Sequence, residues 1–140
     1  MKIDFPVKLT ETNPIVQVDD SESTINLVKI YYKQAGIIPP FLSFLDGNEF
    51  LNYLEENKTQ AEKLPCLLLL DINMPTMDGF EVLEKMRSNE AFKDIPVCTM
   101  LTSSDHDLDR SRAMDLGANG YLVKPNDAKE YISFFQSLAA

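Results

Sequence analysis

Residues 67–87 read LLLLDINMPTMDGFEVLEKMR, and this stretch decides the fold. A short apolar run that is bounded by Pro65 and Asp71 is typical of a strand buried on both faces. The apolar residues after Asp71 have the three- and four-residue spacing of an amphipathic helix. These residues are Phe80, Val82, Leu83 and Met86. The stretch therefore predicts a buried strand that is followed by a helix.

The same alternation of strand and helix runs along the whole chain. Five short apolar runs bounded by Pro, Gly or Asp cover residues 15–18, 41–45, 66–70, 96–101 and 121–123. A stretch with helical spacing follows each run, and Gly36 and Gly117 suit the left-handed position that ends a helix. Strict alternation predicts an α/β fold, a doubly wound (βα)5 domain whose parallel five-stranded sheet is covered by helices on both faces.

Composition and charge limit the classes of function. The chain has 140 residues, 44% hydrophobic and 25% charged, which is typical of one globular domain. Thirteen Lys and Arg against 22 Asp and Glu give a formal net charge of −9, which opposes binding to nucleic acids and anionic membranes. A single histidine excludes sites with two imidazoles, so a bound metal is expected to have oxygen ligands. Cys66 and Cys98 lie in apolar runs and are expected to be buried thiols.

Targeting signals are missing from the sequence. The first residues lack the apolar segment of a signal peptide, and no apolar stretch is long enough to span a membrane. A cytoplasmic location is therefore expected.

Polar residues follow four of the five predicted strands. Asp19 and Asp20 follow the first strand, Asp71 the third, Thr102 the fourth and Lys124 the fifth. Taken singly, each residue is better explained as a helix cap or a turn residue. In a doubly wound sheet, however, the carboxyl ends of these strands meet at one edge, where ligands bind. We therefore expect three carboxylates, a hydroxyl and an ammonium group to converge.

Such a cluster favours a metal and a phosphoryl group. Three carboxylates in one cleft repel one another unless a cation compensates them. Oxygen ligands select a hard ion such as Mg²⁺. The ion and Lys124 together would balance the three negative charges, so that a phosphoryl group could enter, with Thr102 as a hydrogen-bond donor. Covalent chemistry would make one carboxylate the nucleophile.

Three segments resemble the response-regulator receiver domains of two-component signalling. They are PIVQVDDSES at 14–23, LLLLDINMPTMDGFEVLEKMR at 67–87, and MLTSSD with LGANGYLVKP at 100–105 and 116–125. The resemblance covers residues 14–140 and implies the flavodoxin-like strand order 2-1-3-4-5. Residues 1–13 match nothing and are expected to form a flexible leader.

The resemblance implies a role for each site residue. Asp71 would accept a phosphoryl group from a sensor histidine kinase or a histidine phosphotransfer protein. Asp19, Asp20, Asp71 and the backbone carbonyl of Asn73 would hold Mg²⁺. Lys124 and Thr102 would contact the phosphoryl group.

Tyr121 would then rotate inward as Thr102 moves. This would rearrange the face made of the fourth helix, the fifth strand and the fifth helix. Tyr121 is equally well explained as a strand aromatic that packs between helices.

The resemblance implies a protein that signals through contacts with other proteins and is not a turnover enzyme. It would catalyse only its own phosphorylation and dephosphorylation, as a monomer or weak homodimer without nucleic acid or membrane partners. Because the chain ends with the fifth helix, output is expected through a downstream protein target or through onward transfer to a histidine.

Several features that differ from the common receiver sequence resemble one subgroup of receivers. The segment ENKTQAEKLP at 56–65 is longer than in common receivers and resembles stand-alone receivers that serve phytochrome-like and other hybrid sensor kinases. TSSDHDLDRS at 102–111 and the pair Phe134 and Phe135 resemble the same subgroup. A polar surface loop and an amphipathic helix explain the insertion and the two phenylalanines equally well.

Three further polar residues have less specific interpretations. Ser104 and Asn73 occupy positions that tune hydrolysis of the acyl phosphate in the family. His106 is expected to be a solvated surface histidine.

Two other classes of function compete with this interpretation. A phosphohydrolase of the haloacid-dehalogenase type also uses Asp, Thr and Lys, but it needs a second Asp where this chain has Asn73. It also usually has a cap domain, for which 140 residues leave little room. A flavodoxin-like nucleotide binder would need a glycine-rich loop after the first strand, and this chain has none there.

Overall fold

A computed structural model describes residues 2–3, 7–101 and 107–138 of the chain. Three residues discussed above, Thr102, Ser104 and His106, lie outside the described residues. In the described parts no helix is both long enough and apolar enough to cross a membrane.

Six described strands form one sheet. They are β1 (Lys2–Ile3), β2 (Ile15–Val18), β3 (Phe41–Phe44), β4 (Leu67–Asp71), β5 (Val97–Leu101) and β6 (Gly120–Val123), in the order β1-β6-β5-β4-β2-β3. All pairs among β2 to β6 are parallel. This confirms the predicted five-stranded parallel sheet and its 2-1-3-4-5 order, in which the first predicted strand is β2.

Strand β1 adds a sixth, antiparallel strand at the edge of the sheet. It pairs Lys2 with Tyr121 and Ile3 with Gly120 of β6. A pairing of two residues leaves too short a pattern in the sequence to be predicted.

Within the described residues, five α-helices cover both faces of the sheet. They are α1 (Glu22–Ala35), α2 (Gly47–Glu56), α3 (Gly79–Arg87), α4 (Asp107–Asp115) and α5 (Ala128–Leu138). One apolar core lies under α2, α3 and α4, and the other lies under α1 and α5. The apolar residues of α1 and α5 with helical spacing are buried, as predicted.

Local signals set the helix ends. The Ser21 hydroxyl accepts a hydrogen bond from the Thr24 amide and caps α1, while Asp78 accepts one from the Glu81 amide and caps α3. Gly36 follows α1 with a φ of 71°, in the predicted left-handed conformation.

The leader and the insertion contact each other. The side-chain amide of Asn13 donates hydrogen bonds to the carbonyl oxygens of Ala61 and Leu64, at 2.7 and 3.0 Å. Ala61 begins a short 3-10 helix, Ala61–Lys63, within the insertion. The insertion is thus a folded connection that fastens the chain just before β2.

Helix α4 corrects one prediction about the core. The apolar spacing predicts that Leu108 faces the core, but this side chain is 86% exposed. Ala113 is the buried residue of α4, whose sequence DLDRSRAMD consists mainly of charged residues. The prediction that Cys66 and Cys98 are buried, unpaired thiols is confirmed.

Candidate functional site

Three carboxylates meet at the carboxyl edge of the sheet. Strands β2 and β4 are neighbours that pair Val18 with Leu70, so Asp19 and Asp71 come side by side just beyond this pair. Both are buried, at 1% and 2% exposure, whereas Asp20 is exposed. An oxygen of each of the three carboxylates lies within 4.8 Å of the other two. The structure thus brings together the three carboxylates that the sequence places at strand ends.

Lys124 brings the positive charge from the end of β6. Its Nζ lies 3.1 Å from Oδ2 of Asp19 and 3.4 Å from Oδ2 of Asp71. Its backbone amide donates a hydrogen bond to the carbonyl oxygen of Leu101, at 2.7 Å, which fixes the chain as it leaves the sheet. The ammonium group therefore bridges the two buried carboxylates.

Backbone amides orient both buried carboxylates. Oδ1 of Asp19 accepts a hydrogen bond from the amide of Ser21, at 2.9 Å, and Oδ1 of Asp71 accepts one from the amide of Asn73, at 3.1 Å. In each carboxylate the second oxygen, Oδ2, then lies towards Lys124. The two side chains are held in one orientation before any ligand arrives.

The site carries more negative than positive charge. Burial raises the pKa of Asp71, and the charge of Asp19 acts in the same direction, while Lys124 and the Asn73 amide oppose them. Burial acts to lower the pKa of Lys124, but the carboxylates of Asp71 and Asp19 outweigh burial, so its pKa lies above the ordinary value. Lys124 therefore stays protonated, and its one positive charge faces three carboxylates, a formal excess of two negative charges.

These residues fit a hard divalent cation. Three carboxylate oxygens within 4.8 Å of one another supply the hard ligands that Mg²⁺ prefers. The unbalanced charge equals the charge of one such ion, and the exposed Asp20 leaves a side of the cluster open to solvent.

Gly79 brings α3 against the strand that carries Asp71. Its amide donates a hydrogen bond to the carbonyl oxygen of Ile72, at 3.2 Å. A Cβ atom at this position would lie 2.5 Å from the carbonyl oxygen of Asp71. Only glycine permits this close approach. The MDG segment at 77–79 therefore fixes the backbone of Asp71.

Tyr121 lies three residues before Lys124. Its side chain lies on the face of the sheet that α2, α3 and α4 cover. Its half-buried ring packs against the core under α3 and α4. The Tyr121 hydroxyl accepts a hydrogen bond from Nη1 of Arg110 in α4, at 3.0 Å, and the Cζ atom of Arg110 lies 4.8 Å from the ring centroid.

Two residues near the site were missed by the sequence analysis. Arg110 carries no pattern that would single it out among the charged residues of α4. Gln17, in the middle of β2, is fully buried, and neither polar atom of its amide has a hydrogen-bond partner among the described residues. A polar residue within the apolar run IVQV was the available signal for Gln17.

Comparisons with known proteins match this architecture. A model of the response regulator receiver domain family matches residues 15–136. The response regulator Rcp1 of Synechocystis is 32% identical over 132 residues, and the match covers 91% of this chain and 89% of Rcp1.

Two solved structures are similar over nearly the whole chain. The crystal structure of the Mn²⁺-bound form of Rcp1 has a TM-score of 0.73 at 31% identity, covering 90% of this chain and 91% of Rcp1. The crystal structure of a phosphorylated cyanobacterial phytochrome response regulator, RcpA, has a TM-score of 0.76 at 29% identity, covering 90% of each chain. The bound metal and the phosphoryl group are properties of those two relatives.

Proposed function

The chain belongs to the family of response regulator receiver domains, and from this membership we propose that Asp71 is the phosphoacceptor of a two-component or phosphorelay pathway. The phosphoryl donor is the phosphohistidine of a kinase or of a phosphotransfer protein. One observation carries the proposal, which is the cluster of Asp19, Asp20 and Asp71 with Lys124 between the two buried carboxylates.

Asp71 is the nucleophile of phosphoryl transfer in this proposal. One carboxylate oxygen attacks phosphorus, the bond between phosphorus and the imidazole nitrogen breaks, and its electron pair stays on the imidazole. The product is an aspartyl phosphate. The Nζ atom of Lys124, 3.4 Å from Asp71, lies where it can balance charge on the phosphoryl oxygens. The Asn73 amide keeps the Asp71 carboxylate oriented for the attack.

The carboxylate cluster would be balanced in charge by one divalent ion. Asp19, Asp20, Asp71 and the backbone carbonyl of Asn73 would hold Mg²⁺. When bound, the ion would neutralise negative charge as the phosphoryl group enters. Without it, two unbalanced charges would repel that group.

The output of the proposed receiver lies on the face made of α4, β6 and α5. Tyr121 belongs to this face and is three residues from Lys124, so a change at the phosphoryl site has a short path to the surface. Thr102, which lies outside the described residues, would bond to the phosphoryl group and move with Tyr121. A downstream protein would read the rearranged face.

The family match does not favour the alternative of a phosphohydrolase. That class needs a second Asp at the position of Asn73, whose exposed side chain carries an amide in this protein. A hydrolase would release phosphate from many monoesters in the steady state, whereas a receiver retains the group on Asp71.

Phosphorylation by a small donor tests the proposal. The protein is incubated with acetyl phosphate and Mg²⁺, and intact-mass spectrometry should show one added phosphoryl group. Asp71→Asn should abolish the added mass. Asp78→Asn is the matched control, because Asp78 caps α3 in the same loop and asparagine also caps helices. Absence of the added mass in the wild type, or its loss in Asp78→Asn alone, would contradict the proposal.

A further inference from the structure

Arg110 makes three contacts through one guanidinium group. Nη1 donates to the hydroxyl of Tyr121 at 3.0 Å, and the Cζ atom lies over the Tyr121 ring at 4.8 Å from its centroid. Nη2 pairs with the carboxylate of Asp107, the first residue of α4. Arg110 thus joins the aromatic ring of β6 to the first turn of α4.

Helix α4 depends on such contacts more than the other helices do. Ala113 is the one residue of α4 that is buried, whereas α3 and α5 each bury four or more. The other described cation–π contact of α4 joins Arg112 to the ring of Phe80 in α3, at 4.2 Å. Because little apolar surface holds α4, the two arginine contacts carry a larger share of its attachment.

We propose that Arg110 is a positioning residue that latches Tyr121 in its present place and links any rotation of the ring to the first turn of α4. The inference rests on the proposed function, since it concerns the movement that phosphorylation of Asp71 would cause. Rotation of the ring breaks the hydrogen bond and the cation–π contact together, because both come from one guanidinium. The ring of Tyr121 therefore cannot rotate without releasing the first turn of α4 from this contact.

Only arginine has the shape for this role. Its planar, delocalised guanidinium can face a ring and donate to a hydroxyl and a carboxylate at the same time. A lysine keeps the charge but presents a compact ammonium group, which cannot hold all three partners. Arg110→Lys is therefore expected to weaken the latch without changing net charge.

Removal of the latch should favour the activated state. Phosphoryl-like ligands would stabilise the rotated ring, so a protein that no longer holds the ring back should bind them more tightly. One net hydrogen bond and one cation–π contact at a partly exposed site together correspond to a shift of at least about fivefold. Arg110→Ala should thus lower the beryllofluoride concentration for half-saturation at least about fivefold, and Arg110→Lys should lower it less.

Arg112→Ala is the matched control. It removes one positive charge from the same helix, so it controls for the lost charge, but it breaks the contact to Phe80 and not the contact to Tyr121. The full chain is labelled with 3-fluorotyrosine, and Tyr121→Phe identifies the ¹⁹F signal of Tyr121 among the five tyrosines.

The decisive measurement is the ¹⁹F signal of Tyr121 during a titration with beryllofluoride and Mg²⁺. We expect the signal of ligand-free Arg110→Ala to move towards that of the saturated wild type, while Arg112→Ala matches the free wild type. If the wild type responds and Arg110→Ala does not differ from it, or if Arg112→Ala shows the same change, the latch is overturned while the proposed function stands. If the wild type itself fails to bind beryllofluoride, the proposed function is overturned and the latch with it.

Discussion

Replacing Gly79 with alanine is expected to displace the backbone that carries Asp71. The added Cβ atom would lie 2.5 Å from the carbonyl oxygen of Asp71 and 2.7 Å from the Cα atom of Ile72. Carbon atoms in contact rest at about 3.5–4.0 Å, so the start of α3 and the end of β4 must separate by about 1 Å.

The cost follows from the kind of atoms that collide. Overpacking a tight site costs about 1–3 kcal/mol. The upper end of this range applies to Gly79, because the Asp71 carbonyl oxygen and the Ile72 Cα atom belong to the backbone and cannot rotate away. The better helix propensity of alanine offsets at most about 1 kcal/mol of this cost. The free energy of unfolding is therefore expected to fall by about 2 kcal/mol. Urea unfolding measures this loss, and the rate of phosphorylation by acetyl phosphate should fall with it.

Gly36→Ala separates the collision from the general effect of losing a glycine. Gly36 has a φ of 71°, and no atom lies within 4 Å of an added methyl group. Its replacement should cost about 1 kcal/mol through left-handed strain and leave phosphorylation unchanged. The reasoning is refuted if Gly79→Ala is as stable as the wild type, or if it phosphorylates at the rate of Gly36→Ala.

Three further substitutions have expected outcomes. In metal-free buffer, Asp71→Asn should raise the free energy of unfolding at about pH 7, because burial raises the pKa of Asp71 and folding therefore disfavours its charged form. That gain should vanish below the ordinary carboxyl pKa of about 3.9, where both states are protonated; urea titrations with an equal gain at low pH would contradict it. Gln17→Leu should raise the free energy of unfolding by about 1–3 kcal/mol, since it removes a buried amide without a hydrogen-bond partner among the described residues; a loss of stability would show that the amide has a role. Lys124→Ala should retain Mg²⁺ in calorimetry yet show no ligand-dependent change of the Tyr121 signal, and a normal change would refute the role of Lys124.

Much of the fold could be predicted because its strands are buried on both faces. The leucines of β4 form an unbroken apolar run, and the structure confirms a strand there with its bounds shifted by one residue, to Leu67–Asp71. Strand β6 begins at Gly120, one residue before the predicted run, because glycine has no apolar side chain to signal a strand. In α4, polar and cation–π contacts replace apolar packing, so hydrophobic spacing misassigned Leu108.

The meeting of the carboxylates could be predicted for a topological reason. Parallel strands place their carboxyl ends at one edge, so Asp19 and Asp71 had to approach once the strand order was known. No such rule predicts the contact between Arg110 and Tyr121. It joins a helix to a strand through two side chains, and the sequence pattern does not set the directions of those side chains. The buried amide of Gln17 is similar, since its lack of partners follows from the packing around it.

Strand β1 has a consequence for how the protein behaves at high concentration. An uncovered edge strand offers free backbone amides and carbonyls to any other chain, which is a common start of aggregation. By pairing with Gly120 and Tyr121, β1 occupies that edge of β6 with the protein's own backbone. The leader therefore shields the strand that carries Tyr121 and leads into Lys124 from unwanted strand pairing, through hydrogen bonds that require no particular side chain.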